Sequence, residues 1–117
     1  IIHGAQIGRN CLVGMNAVIM DNVDLGDGSI VGALSFVKQG EKIPERSLVV
    51  GNPARIIGEV NDEMLEWKTK GTSLYQALPA EMHAQSQPCE PLSVIPNDRP
   101  SQEKLYETWK SLKGNDS

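Results

Sequence analysis

The sequence predicts an all-β solenoid, a left-handed parallel β-helix of about three coils built from hexapeptide repeats and followed by C-terminal α-helices. Three observations predict it. An aliphatic residue recurs every sixth position without a break: Ile1, Ile7, Val13, Ile19, Leu25, Val31, Val37, Ile43 and Val49. Glycine takes the second position in Gly8, Gly14, Gly26 and Gly32, and the fifth position is small in Ala5, Cys11, Ala17, Ser29, Ser35 and Ser47. Neither strict alternation nor a period of 3.6 fits this phase, which excludes ordinary strands and amphipathic helices over the same residues.

With aliphatics at roughly 30% of average composition, nine matches at one fixed phase arise by chance about once in ten thousand or less. Each hexad makes one flat face of a triangular coil. Its aliphatic residue points into the prism, a small residue tucks in near each corner, and Gly or a polar residue takes the turn, where φ can be positive. Three hexads per coil give three coils over residues 1–54, stacked as parallel strands. One buried aliphatic per hexad offsets only part of the backbone entropy lost in ordering six residues. Inter-coil hydrogen bonds and burial of outer faces against neighbouring subunits must supply the rest, so an oligomer is a physical expectation.

Beyond the repeat, Pro53 interrupts the last hexad and the chain leaves the solenoid through Gly51-Asn52-Pro53-Ala54-Arg55. Residues 55–84 read as a C-terminal helical segment. Asn61 is a good N-cap, with Asp62 and Glu63 where negative charge suits a helix start. Met64, Leu65, Trp67, Lys68 and Lys70 followed by Gly71 describe a helix of about ten residues. A second helix is expected from Thr72, with Leu74, Tyr75, Leu78 and Met82 on one face. Residues 85–117 carry Pro88, Pro91, Pro96 and Pro100 and read as an extended polar arm. Within it, Glu103 to Leu112 has the pattern of a short amphipathic helix through Leu105, Trp109 and Leu112.

Composition narrows the partners. The net charge is −4 over 117 residues, and the basic side chains are scattered and outnumbered by acids, so nucleic acid is not an expected partner. No apolar run approaches the roughly 20 residues of a membrane span, and no membrane partner is expected. Cys11 and Cys89 lie in segments of different character and are expected to be unpaired thiols of a reducing cytoplasm. The sequence starts at Ile1 in mid-repeat and is read as the C-terminal portion of a longer chain.

The two histidines are His3, on the solenoid, and His83, among polar residues of the second helix, where it reads as solvated. There is no Ser-His-Asp set, phosphate-cradling glycine loop or CxxC pair. His3 on composition alone would be a surface turn residue. However, Ile2-His3-Gly4-Ala5 running into Ile7-Gly8-Arg9-Asn10, then Val13-Gly14-Met15-Asn16-Ala17-Val18-Ile19-Met20-Asp21, resembles the gamma-carbonic-anhydrase-like hexapeptide proteins. The likeness continues through Ser35-Phe36-Val37-Lys38, the exit Gly51-Asn52-Pro53-Ala54-Arg55, and the segment with Glu66-Trp67-Lys68, Gly71-Thr72 and Tyr75-Gln76. It covers residues 1 to about 100. The exit motif is shared with sugar and serine acetyltransferases; the segment with Trp67, Lys68, Thr72 and Tyr75 discriminates better.

That resemblance implies a homotrimer holding a metal, usually zinc, by three histidines from two adjacent subunits. Two of them form a pattern in which a His is followed five residues later by His-Gly. His3 matches the later one, so the resemblance implies His3 as a metal ligand and places the other ligands before Ile1. Zinc held by three imidazoles keeps an open position and acidifies bound water toward a pKa of about 7. The nearest likeness is to members from operons handling acyl-CoA compounds, so the expected function is acyl-CoA thioester hydrolysis in carnitine or phenylacetate metabolism, ahead of carbon dioxide hydration. Ala5 stands where the family often has Cys, and Gly58 where a basic residue is common. One ligand of three cannot hold zinc in a catalytic geometry, so these residues alone are expected to be inactive. Two alternatives stay open: a CoA-dependent acyltransferase with the histidine as general base and no metal, and a non-catalytic accessory protein.

Overall fold

The computed structural model describes residues 1–99 and 101. The chain divides into two compact units, Ile1–Thr69 and Lys70–Ser117.

The first unit is a parallel solenoid. Seven two-residue strands, β1 (Gln6–Ile7), β2 (Leu12–Val13), β3 (Val18–Ile19), β4 (Asp24–Leu25), β5 (Ile30–Val31), β6 (Phe36–Val37) and β7 (Lys42–Ile43), are followed by the longer β8 (Ser47–Gly51) and β9 (Ala54–Glu59). They form three sheets, β1-β4-β7, β2-β5-β8-β9 and β3-β6. An Ile2–Ile19 bridge extends the last. Each parallel partner lies one coil further along, as in Gln6 with Asp24, Leu12 with Ile30 and Val18 with Phe36. The period of six thus sets both the faces and the register, as the sequence predicts.

The first-position aliphatics form the core. Ile19, Leu25, Val31, Val37, Ile43 and Val49 are buried together with Ala17 and Val23. The fifth-position residues of one corner stack through the coils and satisfy its carbonyls. The Cys11 thiol donates to Gly26 O at 3.2 Å, the Ser29 hydroxyl to Pro44 O at 3.0 Å and the Ser47 hydroxyl to Pro44 O at 2.8 Å. Buried serines are tolerated here because each has a partner.

The left-handed backbone falls on the fourth position of each of the first eight hexads: Gly4, Asn10, Asn16, Asn22, Gly28, Leu34, Gly40 and Arg46. Gly and Asn dominate because they carry the least steric penalty there. The second-position glycines serve a different need. A β-carbon on Gly8 would sit 2.7 Å from both the Leu25 carbonyl oxygen and the Asp27 nitrogen, so glycine lets adjacent coils approach.

The expected helical segment over residues 55–84 is corrected at its start. After the cis Asn52–Pro53 peptide the chain doubles back as β9, pairing antiparallel with β8. The β-branched pair Ile56-Ile57 suits a strand, and the exposed edge of β8 supplies the hydrogen-bonding partner. The two expected helices are one, α1 (Asp62–Gln85), which runs through both Gly71 and Pro79. An interior glycine costs only about 1 kcal/mol, and Gly71 is flanked by residues that continue the helix without a left-handed cap. Its N-cap is as expected, with the Asn61 carboxamide oxygen accepting from Met64 N at 2.9 Å.

In the second unit, α1 continues to Gln85 with Leu74, Tyr75, Leu78 and Met82 exposed, and residues 86–99 are irregular, with Leu92, Val94 and Ile95 exposed. Pro100 and the expected helix from Glu103 to Leu112 lie outside the described residues.

Candidate functional site

His3 sits at the first corner of the first coil, held from both sides by backbone. Its N–H donates to Ile19 O at 2.9 Å, and Asn22 N donates to Gly4 O at 2.8 Å. Its ring Nδ1 lies 2.9 Å from Asp21 Oδ1, one coil on. In the tautomer protonated at Nδ1, the ring donates to the carboxylate and Nε2 keeps its lone pair for another partner. The His3 side chain is 72% exposed and that of Asp21 37%, so this lone pair is open to solvent or to a neighbouring molecule.

The described residues contain no group of three or more His, Cys, Asp or Glu that could hold a metal ion. A metal held through His3 would need its remaining donors from outside the described residues. His83 lies exposed in the last turn of α1, as expected.

Asp21 belongs to no functional motif of its own, although the period holds the signal. Adding one coil to His3 arrives at Asp21, just as one coil from Arg9 arrives at Asp27, whose carboxylate accepts from Arg9 N at 2.7 Å.

A second polar cluster joins the start of α1 to the solenoid. Asn10, in the left-handed turn, donates through its carboxamide to Thr69 Oγ1 at 3.1 Å and accepts from Lys68 Nζ. Thr69 in turn donates to Leu65 O at 2.7 Å. Lys68 is only 4% exposed. Burial lowers its pKa from the ordinary 10.5, against a smaller raising influence from Cys11. Arg46 completes the junction, donating to Val60 O at 2.8 Å and to Asp62 Oδ1 at 2.7 Å. Cys11 and Cys89 are both free thiols, as expected.

At the far end of the solenoid, an open cleft of about 380 Å³ is lined by Lys38, Lys42, Arg55, Glu41 and the apolar Ile43, Pro53, Ala54 and Ile56. Lys42 reaches Asp24 at 3.4 Å and Lys38 reaches Glu41 at 3.6 Å. His3 does not line it. No described helix is long and apolar enough to cross a membrane.

Eighteen-residue coils, aliphatic interior positions and glycine at the close approaches define a class, and the chain belongs to the hexapeptide-repeat family. The family model for bacterial transferase hexapeptide (six repeats) matches residues 4–39. Among curated proteins, the chain is similar to the carnitine operon protein CaiE of Escherichia coli O7:K1, 46% identical over 100 residues, which is 86% of this chain and 51% of that protein. It is 44% identical over 100 residues to CaiE of Salmonella agona, covering 86% of this chain and 50% of that one. The chain thus spans about half the length of the curated relatives it matches.

Among solved structures, a suspected acetyltransferase of Bacillus cereus superposes with a TM-score of 0.70 and 31% identity, over 74% of this chain and 50% of that one. A hexapeptide transferase family protein from Anaplasma phagocytophilum superposes with a TM-score of 0.66 and 28% identity, over 69% and 49%.

Proposed function

We propose that the intact protein is a homotrimeric, zinc-dependent hydrolase of the gamma-carbonic-anhydrase-like type, acting on an acyl-CoA thioester in carnitine or phenylacetate metabolism, with His3 as one metal ligand. Its hexads wind as the left-handed β-helix that the likeness to hexapeptide transferases implies. The observation that carries the reading is the His3 ring, engaged with Asp21 through Nδ1 and exposed at the first coil. The similarity to the carnitine operon protein CaiE supports the place in carnitine metabolism. Zinc, when bound, supplies an acidified water and polarises a carbonyl. His3 contributes a neutral imidazole in that arrangement, and the backbone bonds on either side of it hold the ring's position on the corner.

Zinc content of the intact protein, set beside a His3→Ala variant, tests this. About one zinc per subunit that disappears in the variant, together with loss of thiol release from acyl-CoA substrates, is the expected result. Negligible zinc in both sinks the metal site.

A second reading, a CoA-dependent acyltransferase, is favoured by the superposition on the Bacillus cereus suspected acetyltransferase. There His3 would act as a general base through Nε2. It predicts acyl transfer to an acceptor hydroxyl or amine that persists after chelation.

A further inference from the structure

We propose that Asp21 is the positioning residue of His3, and that position 4 is glycine because the Asp21 carboxylate occupies the space a β-carbon would fill. This rests on the reading of His3 as the working imidazole.

The contact is built by the coil. His3 and Asp21 lie on consecutive coils, and their backbones are tied on both sides of the pair, by His3 N to Ile19 O at 2.9 Å and by Asn22 N to Gly4 O at 2.8 Å. Between these two bonds the Asp21 carboxylate reaches His3 Nδ1 at 2.9 Å. A carboxylate is acceptor-only, so a neutral ring facing it places its proton on Nδ1 and its lone pair on Nε2. Free imidazole in water distributes between two tautomers and all ring orientations; this pair selects one of each. A ligating or proton-accepting nitrogen is then presented ready-made, the arrangement by which a carboxylate raises the basicity of a metal-binding histidine.

Gly4 makes the pair sterically possible. Its φ is +59°, and a β-carbon there would overlap Asp21 Oδ1 and approach Asp21 Cγ to 3.3 Å. Gly40 occupies the same hexad position with φ +77°, yet a β-carbon on it would meet nothing within 4 Å. The two glycines separate the requirements. Both satisfy a left-handed backbone, but only Gly4 also vacates room for a carboxylate. The His-Gly dipeptide therefore has a physical origin beyond turn formation.

The test uses the intact protein, freed of metal, with two readouts: the ring ¹⁵N shifts of His3, which report tautomer, and the affinity for added zinc. The wild type is expected in the Nδ1–H form. Asp21→Ala should shift the ring toward the Nε2–H form and weaken zinc binding by about 10- to 100-fold. Asp21→Asn, whose carboxamide oxygen still accepts, should restore the tautomer and most of the affinity. Gly4→Ala should reproduce the Asp21→Ala signature, whereas Gly40→Ala, carrying the backbone strain alone, should leave both readouts at wild-type values. An unchanged tautomer and affinity in Asp21→Ala, with zinc lost only in His3→Ala, overturns the positioning role while sparing the ligand. Zinc binding that survives His3→Ala overturns the reading on which the proposal rests.

Discussion

The first coil and the two that follow it are written in the same six-residue pattern but live in different environments. Ile19, Leu25, Val31, Val37 and Val49 are almost completely buried, whereas Ile1 is 79% and Ile7 37% exposed. A single coil cannot cover its own interior, so burial needs neighbours along the stack: the first-position residues of the second and third coils are buried, with Ala5, Cys11, Val13 and Ala54 packed against them. His3 lies on the first of these coils, with its side chain 72% exposed. The coils beyond it supply the rigid carboxylate and backbone that hold it.

The largest expected effect tests that contrast directly. Leu25→Ala should lose about 3 kcal/mol of unfolding free energy, whereas Ile7→Ala should lose about 1 kcal/mol or less, since it removes little buried surface. Urea denaturation of the two variants checks this, and equal losses would show that the first coil is as well covered as the others in the assembled protein.

Close approach should matter on the first coil even where burial does not. Gly8→Ala should cost about 2 kcal/mol, because backbone atoms of Leu25 and Asp27, and not the Asp27 carboxylate alone, occupy the space, while Gly58→Ala, which meets nothing within 4 Å, should be neutral within about 0.5 kcal/mol. Thermal melts of the pair decide it. A neutral Gly8→Ala would mean the first coil yields to accommodate the methyl group.

The junction with α1 should respond next. Asn10→Ala removes the carboxamide shared by Lys68 and Thr69 and forces alanine into a left-handed turn, with an expected loss of about 1 to 2 kcal/mol. Hydrogen exchange should show faster opening around Leu65 to Thr69 and little change at Val31 or Val49. Uniform acceleration would mean that this junction governs the whole solenoid.

The smallest effect is a pH dependence. Burial holds the Lys68 amine below its ordinary 10.5, so the unfolded chain keeps that proton more tightly than the native one. Stability contributed at this position therefore rises with pH from the lowered native value toward 10.5. Lys68→Met should flatten that alkaline rise, measured by denaturation midpoints across the window. An unchanged slope would assign the rise to other groups.

Much of the solenoid was legible because it repeats a single physical demand. Nine aliphatics in phase specify inward-facing positions, and a period of six specifies coil length and hence the pairing of Gln6 with Asp24 or Val18 with Phe36. The asymmetry of the glycines was visible too, but its two causes were not. Hexad position separates Gly8, at the second position, from Gly4 and Gly40, at the fourth, but nothing local separates Gly4, which makes room for Asp21, from Gly40, which meets nothing. The region after Gly51 was read less well. Ile56-Ile57 became a strand because β8 offered an edge, and Gly71 was absorbed into α1 although an isolated helix would favour ending there.

The candidate site divides the same way. His3 stood out as the solenoid's single histidine, followed by glycine, and the resemblance of its surroundings suggested what it would do. Its contact with Asp21 required the coil to close. The sequence by itself determined the repeat, its phase, the interior residues and the N-cap at Asn61, since each depends on side-chain chemistry at short or regular spacing. Only the tertiary structure decided which glycine makes room for a carboxylate and how Asn10 meets Lys68. Those outcomes depend on atoms brought together from distant positions, where hydrogen-bond reach and steric overlap act over a few ångströms.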